Sequence, residues 1–119
     1  MNKFLKYWLP VVIWAGFIFY LSSIPNLRSG LEPDFFLRKL AHIIEYAILV
    51  FLSFRALYNG QQFSLKKSLV LAFIFSFLYA ISDEFHQTFI INRDGNIKDI
   101  LVDSMGIIFA VFLIKKRVK

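Results

Sequence analysis

Long apolar segments alternate with short polar ones along this sequence, and their lengths predict its elements. Four segments are rich in aliphatic and aromatic residues, and each is close to the ~17–25 residues that a helix needs to cross the hydrocarbon of a bilayer. They cover about residues 4–24, 35–58, 65–87 and 97–114. Pro33 and Asp34 mark the start of the second segment, and Asn59-Gly60 marks its end. The pattern predicts an all-α fold, a four-helix transmembrane bundle with up-down topology.

The connections between the segments are short, so residues 1–119 are expected to form a single domain. The first segment begins with basic residues, as a signal peptide does. Its apolar part is longer than the ~7–15 residues of such a signal, and no Ala-x-Ala cleavage site follows it. We therefore predict that it is retained as a transmembrane helix.

Composition favours a membrane protein over a soluble domain. The chain is 58% hydrophobic and only 18% charged, whereas typical soluble domains are roughly 45–50% apolar. It contains no cysteine, which excludes disulfides, thiolate metal sites and cysteine nucleophiles. Nine of its 14 Lys and Arg residues lie near the two ends of the chain or where the second segment ends and the third begins. By the positive-inside rule, this charge distribution predicts cytoplasmic termini rather than nucleic-acid binding.

The acidic residues are distributed in the opposite way. All eight lie in the predicted outer loops or in the outer halves of the helices. In an up-down bundle, four helix ends meet at this one face of the membrane. They are the end of the first helix, the start of the second, the end of the third and the start of the fourth. Because ionisable groups within a membrane are costly and usually functional, we expect a polar site there.

Three helices supply this expected site with residues spaced to share helix faces. His42 and Glu45 lie three positions apart on the second helix, and Asp83 lies four positions before Gln87 on the third. The fourth helix begins with two aspartates that are four positions apart. The predicted site residues are Ser23, Lys39, His42, Glu45, Tyr46, Asp83, Glu84, Gln87, Arg93, Asp99 and Asp103.

These residue types support acid–base chemistry, cation binding and anion binding. Imidazole titrates near neutral pH and a neighbouring carboxylate can orient it, so the catalytic candidates include a histidine and its acidic neighbours. These candidates are His42, Glu45, Asp83 and Glu84. The carboxylates of Glu84, Asp99 and Asp103 could hold a divalent cation.

Other interpretations of the same residues remain open. Arg93 could hold a phosphate through its guanidinium or pair with a neighbouring aspartate. Ser22 and Ser23 have the character of a hydrogen-bonded helix end, and His86 that of an interfacial residue outside the site. For the carboxylates as a group, the alternative to a functional site is a polar network that only joins the helices.

The ordered motifs resemble those of the VanZ-like family of small integral membrane proteins, over almost the whole chain. The matching motifs are Lys39-x-x-His42-x-x-Glu45-Tyr46, Asp83-Glu84-x-x-Gln87, Arg93, Asp99-x-x-x-Asp103-x-x-Gly106 and the pair Ser22-Ser23. Members of the family often have Asn at the position of Asp103, so the site is more acidic here. The family takes its name from a protein that confers low-level resistance to teicoplanin, a glycopeptide that acts on cell-wall precursors outside the membrane. The resemblance implies a multi-pass protein of the cytoplasmic membrane connected with envelope or antibiotic response.

The expected site is compatible with two functions. The first is a metal-assisted hydrolase or transferase acting on a lipid-linked phosphate, such as a cell-wall lipid precursor. The second is a non-enzymatic protein that holds a lipid headgroup or shields the membrane from a lipophilic glycopeptide. Proton-coupled transport is disfavoured because the polar residues stop in the outer half of the chain's helices and no internal repeat is present. Membrane lipids are the expected partners in either case, and nucleic acid is not.

Overall fold

A computed structural model describes residues 2–22, 34–87 and 97–118 of the chain. Within these ranges the protein has four α-helices and no β-strand. The helices are α1 (Lys3–Ser22), α2 (Asp34–Arg55), α3 (Leu65–Gln87) and α4 (Ile97–Arg117). The predicted all-α fold is confirmed, and each predicted helix boundary agrees with the structure to within about one helical turn.

The second helix ends in a π-helical turn, Ala56–Gly60. The backbone N–H of Gln61 donates to the carbonyl of Ala56 at 2.9 Å, which is the i to i+5 bond of this geometry. Gly60 lies against α1, since a Cβ added to it would be 3.0 Å from the Cβ of Tyr7. The predicted stop at Asn59-Gly60 is thus correct, and the absence of a side chain at Gly60 lets α1 pack on the turn.

Three of the helices contain stretches long and apolar enough to cross a membrane, namely Lys3–Leu21, Lys39–Gly60 and Leu65–His86. The fourth helix has a similar length but carries charged residues near both of its ends. The protein is accordingly a helical membrane protein. A fourth span, the up-down topology and cytoplasmic termini stay predictions.

Small side chains line the contacts between the helices. Ala72, Ala80 and Ala110 are completely buried, and α4 packs most extensively against α2. A Cβ added at Gly106 would lie 2.2 Å from the carbonyl oxygen of Ile43, so the two helices are in direct contact there. Apolar burial gives little drive for association inside lipid, and close packing of small residues takes its place.

Hydrogen bonds from aromatic side chains tie α1 to the rest of the bundle. The indole N–H of Trp14 donates to the carbonyl of Glu45 on α2 at 2.9 Å, and the hydroxyl of Tyr79 on α3 donates to the carbonyl of Ala15. Large apolar side chains such as Phe85 and Phe109 face outwards, where lipid would cover them. Polar contacts therefore point into the bundle and apolar surface points away from it.

Candidate functional site

Polar side chains from three helices meet inside the bundle, near the start of α2, the end of α3 and the start of α4. They are His42, Tyr46, Asp83, Glu84 and Asp103. All except the histidine are buried, with Tyr46 and Asp103 completely inaccessible. The ionisable groups thus face one another rather than lipid, as expected for polar residues at this depth.

The imidazole of His42 and the carboxylate of Asp103 are joined by a short contact between α2 and α4. Nδ1 of His42 is 2.8 Å from Oδ1 of Asp103. Local sequence explains the contact, because Asp103 lies one turn before Gly106 and His42 immediately precedes Ile43. The close approach of α2 and α4 at Gly106 therefore brings the two side chains together.

Tyr46 connects the same face of α2 to α3. It lies four positions after His42, so both side chains project from one stripe of the helix. The hydroxyl of Tyr46 donates to Oδ2 of Asp83 at 3.2 Å. One stripe of α2 thereby contacts an aspartate on each of the two neighbouring helices.

Three of these side chains have the arrangement of a metal-binding site. His42, Asp83 and Asp103 each offer a ligand atom, and these atoms all lie within 4.8 Å of one another. A cation among them would receive one imidazole nitrogen and two carboxylate oxygens, a donor set suited to a divalent metal such as Mn²⁺ or Zn²⁺. The site can therefore hold a cation, with room in its coordination shell for a further ligand.

Glu84 adds a third buried carboxylate beside this group. Its side chain is 3% exposed, and within the described residues neither carboxylate oxygen has a hydrogen-bond partner. The same is true of Oδ2 of Asp103. Lys39 interacts electrostatically with both acids and compensates part of their charge. The site still contains three buried carboxylates against two basic side chains.

The sequence matches the family described as VanZ/LLP1 over residues 4–118. The chain belongs to the VanZ/LLP1 family. The predicted resemblance is confirmed, and at the level of the family this membership links the protein to glycopeptide resistance. No curated protein and no solved structure matches the chain.

The VanZ/LLP1 motif residues fall into three groups in the structure. Those brought together are His42, Tyr46, Asp83, Glu84 and Asp103, with Lys39 close enough to act on them electrostatically. Ser23 and Arg93 lie outside the described residues, and so do the side chains of Gln87 and Asp99. Glu45 is half-buried on α2, where its backbone carbonyl accepts the indole N–H of Trp14.

The structure adds a partner for His42 that spacing along α2 did not indicate. The imidazole is hydrogen-bonded to Asp103 across the helix interface, and the charge of Glu45 on α2 also acts on it. The role of Tyr46 as a donor to Asp83 was also missed. Two features of the sequence could have indicated these contacts. His42 and Tyr46 lie four positions apart on one helix face, and a glycine follows Asp103 by three positions. His86 stacks on Phe19 with ring centroids 4.3 Å apart, away from this interhelical contact.

Proposed function

We propose that this VanZ/LLP1 protein binds the phosphate-bearing headgroup of a membrane lipid or lipid-linked cell-wall precursor. A divalent cation held by His42, Asp83 and Asp103 would join the protein to the phosphate. The chain would cross the cytoplasmic membrane four times, with this site at the outer face. The observation that supports the proposal is the convergence of three ligand atoms from three helices within 4.8 Å.

The charge balance of the site favours an occupying cation. Three carboxylates lie within the bundle, and a buried charge costs several kcal/mol unless it is paired. Lys39 acts on two of them, and neither oxygen of Glu84 has a hydrogen-bond partner within the described residues. A divalent cation supplies two further positive charges at the place where the aspartate oxygens face each other.

A phosphate is the ligand that would complete such a centre. Divalent cations held by few protein ligands often bind substrate phosphates in their remaining positions. His42 lies about 12 Å along α2 from the start of that helix, at the ~1.5 Å rise per residue. A lipid could therefore present its headgroup to the site and leave its hydrocarbon chains against the apolar exterior of the bundle.

The proposed ligand class also agrees with the family. The protein after which the family is named confers resistance to the glycopeptide teicoplanin. This antibiotic acts on cell-wall precursors at the outer face of the membrane, and those precursors carry lipid-linked phosphates. A protein that holds such a headgroup would act where the antibiotic acts, by altering access to the precursor or to the membrane surface.

Hydrolysis of the bound phosphate is a second candidate function, favoured by the geometry of His42. Its Nδ1 contacts Asp103, and the imidazole is 17% exposed, so Nε2 is the ring nitrogen left for a reacting group. In this reaction the imidazole would not bind the cation, which Asp83 and Asp103 would hold, and its Nδ1–H would donate to Asp103. Nε2 would take a proton from water while the water oxygen forms a bond to phosphorus. The bond from phosphorus to the lipid oxygen would break, and the imidazolium would return the proton to that oxygen.

The test of binding uses purified protein in detergent and measures cation and lipid binding by native mass spectrometry. Mn²⁺, Mg²⁺ and Zn²⁺ are titrated first, and then a polyprenyl diphosphate is compared with the polyprenol that lacks phosphate. We expect cation-dependent retention of the diphosphate lipid alone. The substitution H42Q should abolish it, whereas H86Q, which changes the other histidine of the chain, should leave it intact.

Equal retention of the diphosphate lipid with and without EDTA would contradict the cation-mediated proposal. Equal loss in H42Q and H86Q would also contradict it, because His42, and not His86, is one of the three proposed cation ligands. Release of diphosphate and free polyprenol from the retained lipid separates the two candidate functions. Binding without release by any of the three cations would exclude hydrolysis and leave the binding function.

A further inference from the structure

A cavity lies at the other end of the α2–α4 pair, away from the carboxylate site. It has a volume of about 480 Å³ and lies between the end of α2, with its π-helical turn, and the end of α4. Arg55 at this cavity is about 20 Å from His42 along α2, at the ~1.5 Å rise per residue. The cavity is therefore separate from the carboxylate site.

The walls of the cavity are apolar and its charged groups are all basic. Phe51, Leu52 and Leu113 contribute to the walls, and Arg55 and Arg117 bring two guanidinium groups to the same space. No acidic residue of the described chain lines the cavity. A matching ligand is apolar over most of its length and carries a negative charge at one end.

Arg55 is oriented by a contact with the first helix. Its guanidinium carbon lies 4.7 Å from the centroid of the Tyr7 ring, a cation–π geometry that restricts the side chain. Guanidinium groups match phosphate oxygens through two parallel N–H donors. An arginine already positioned at the cavity loses little conformational freedom when a phosphate binds.

The π-helical turn contributes directly to the cavity. Asn59 lies within this turn, Arg55 immediately precedes it, and both line the space. The extra residue in a π turn changes the direction of the following backbone, and such turns are frequent at functional sites. The turn thus ends α2 with Arg55 and Asn59 both at the cavity.

We propose that this cavity binds one anionic glycerophospholipid. An acyl chain would lie against Phe51, Leu52 and Leu113, and the phosphate would lie between Arg55 and Arg117. Basic pockets between membrane helices recognise anionic headgroups in this way. A second copy of the chain would bring further basic residues to the same end, because Lys115 and Lys116 precede Arg117, and like charges would then oppose one another.

The test measures lipid selectivity in nanodiscs that contain equal amounts of phosphatidylglycerol and phosphatidylcholine. After transfer to detergent, native mass spectrometry counts the lipids that remain bound to each protein molecule. We expect one retained phosphatidylglycerol, enriched over phosphatidylcholine by about tenfold or more, since hydrogen bonds to charged groups are individually strong. The variant R55Q/R117Q should lose this enrichment.

The matched control is K115Q/K116Q, which removes two positive charges from the same end without changing the lining of the cavity. It should retain phosphatidylglycerol as the unchanged protein does. The single variant R117Q alters only an exposed residue at the end of α4 and tests the guanidinium without disturbing the contact of Arg55 with Tyr7. It should lower the enrichment to an intermediate value.

A further variant, L113W, would narrow the apolar part of the cavity while keeping both arginines, and it should reduce the retained lipid. Three results would overturn the proposal. They are equal retention of the two lipids, equal loss in K115Q/K116Q and R55Q/R117Q, and the appearance of a dimer in place of a lipid adduct. Cation binding at His42 should be unchanged in every variant, which confirms that each one is folded.

Discussion

The two ends of the α2–α4 pair differ in how closely the helices approach. At the carboxylate end, Gly106 contacts the backbone of Ile43, and no side chain separates the helices. At the other end, a cavity of about 480 Å³ lies between them, lined by larger residues such as Phe51 and Leu113. The small residue at Gly106 permits the close approach at one end, and larger side chains of both helices line the space at the other.

The two ends also differ in where their charges lie. Asp83, Glu84 and Asp103 are buried among the helices, whereas Lys115 and Lys116 are exposed at the end of α4. Buried acids need a partner of opposite charge, while exposed bases can interact with water and anionic lipid headgroups. The acidic end is therefore enclosed by the helices, and the basic end is open to its surroundings.

The largest expected effect comes from a substitution at Gly106, where α2 and α4 are in direct contact. In G106A, the added methyl would lie 2.2 Å from the carbonyl oxygen of Ile43, so α2 and α4 must separate. We expect a loss of about 2–3 kcal/mol in the free energy of unfolding, as for other overpacked interiors. Unfolding by SDS in mixed micelles, followed by tryptophan fluorescence, measures the change. Cation affinity should fall with it, because the separation moves Asp103 away from His42.

The matched control is G16A on α1, where an added Cβ has no heavy atom within 4 Å. This substitution should leave the free energy of unfolding unchanged or raise it by up to about 1 kcal/mol, through the higher helix propensity of alanine. If G106A were as stable as G16A, the close approach of α2 and α4 would not hold the site together.

A substitution at Glu84 should change the free energy of unfolding by a smaller amount and in the opposite direction. Its carboxylate is 3% exposed and has no hydrogen-bond partner within the described residues. The substitution E84Q replaces the buried charge with a neutral amide and should stabilise the cation-free protein by about 1 kcal/mol or more. Unfolding in EDTA tests this, and in saturating Mn²⁺ the gain should shrink or reverse.

E45Q is the control for this prediction because it removes a carboxylate from a less buried position of α2. Its effect in EDTA should be smaller than that of E84Q. Destabilisation of the cation-free protein by E84Q would show that Glu84 has a stabilising partner. The charge balance of the site would then no longer favour an occupying cation.

The helices could be predicted from the sequence because membrane segments are encoded locally. Length and hydropathy set the position of each helix, and Asn59-Gly60 correctly marked the end of the second. The pairing of His42 could not be predicted in the same way. It depends on how α2 and α4 rotate about their contact at Gly106, and this rotation brings Asp103 to 2.8 Å from the imidazole.

The cavity at the basic end was not foreseen at all. Along the sequence, Arg55 and Arg117 belong to two separate basic clusters, and nothing in the pattern shows that they meet. Their shared location depends on the π-helical turn after Arg55 and on the packing of the end of α4 beside it. Both features arise from packing between residues distant in sequence, which a periodic pattern along one helix does not encode.

The smallest expected effect distinguishes two tyrosine hydroxyls that each join α3 to another helix. Tyr46 donates to Asp83 at the site, and Tyr79 donates to the backbone carbonyl of Ala15 on α1. Y46F and Y79F each remove one hydroxyl and keep the ring, so each should lower the free energy of unfolding by about 1 kcal/mol. Only Y46F should also weaken Mn²⁺ binding, by a few fold, because Asp83 loses the donor that orients it. Equal weakening in Y79F would mean that cation affinity follows general stability rather than the alignment of Asp83.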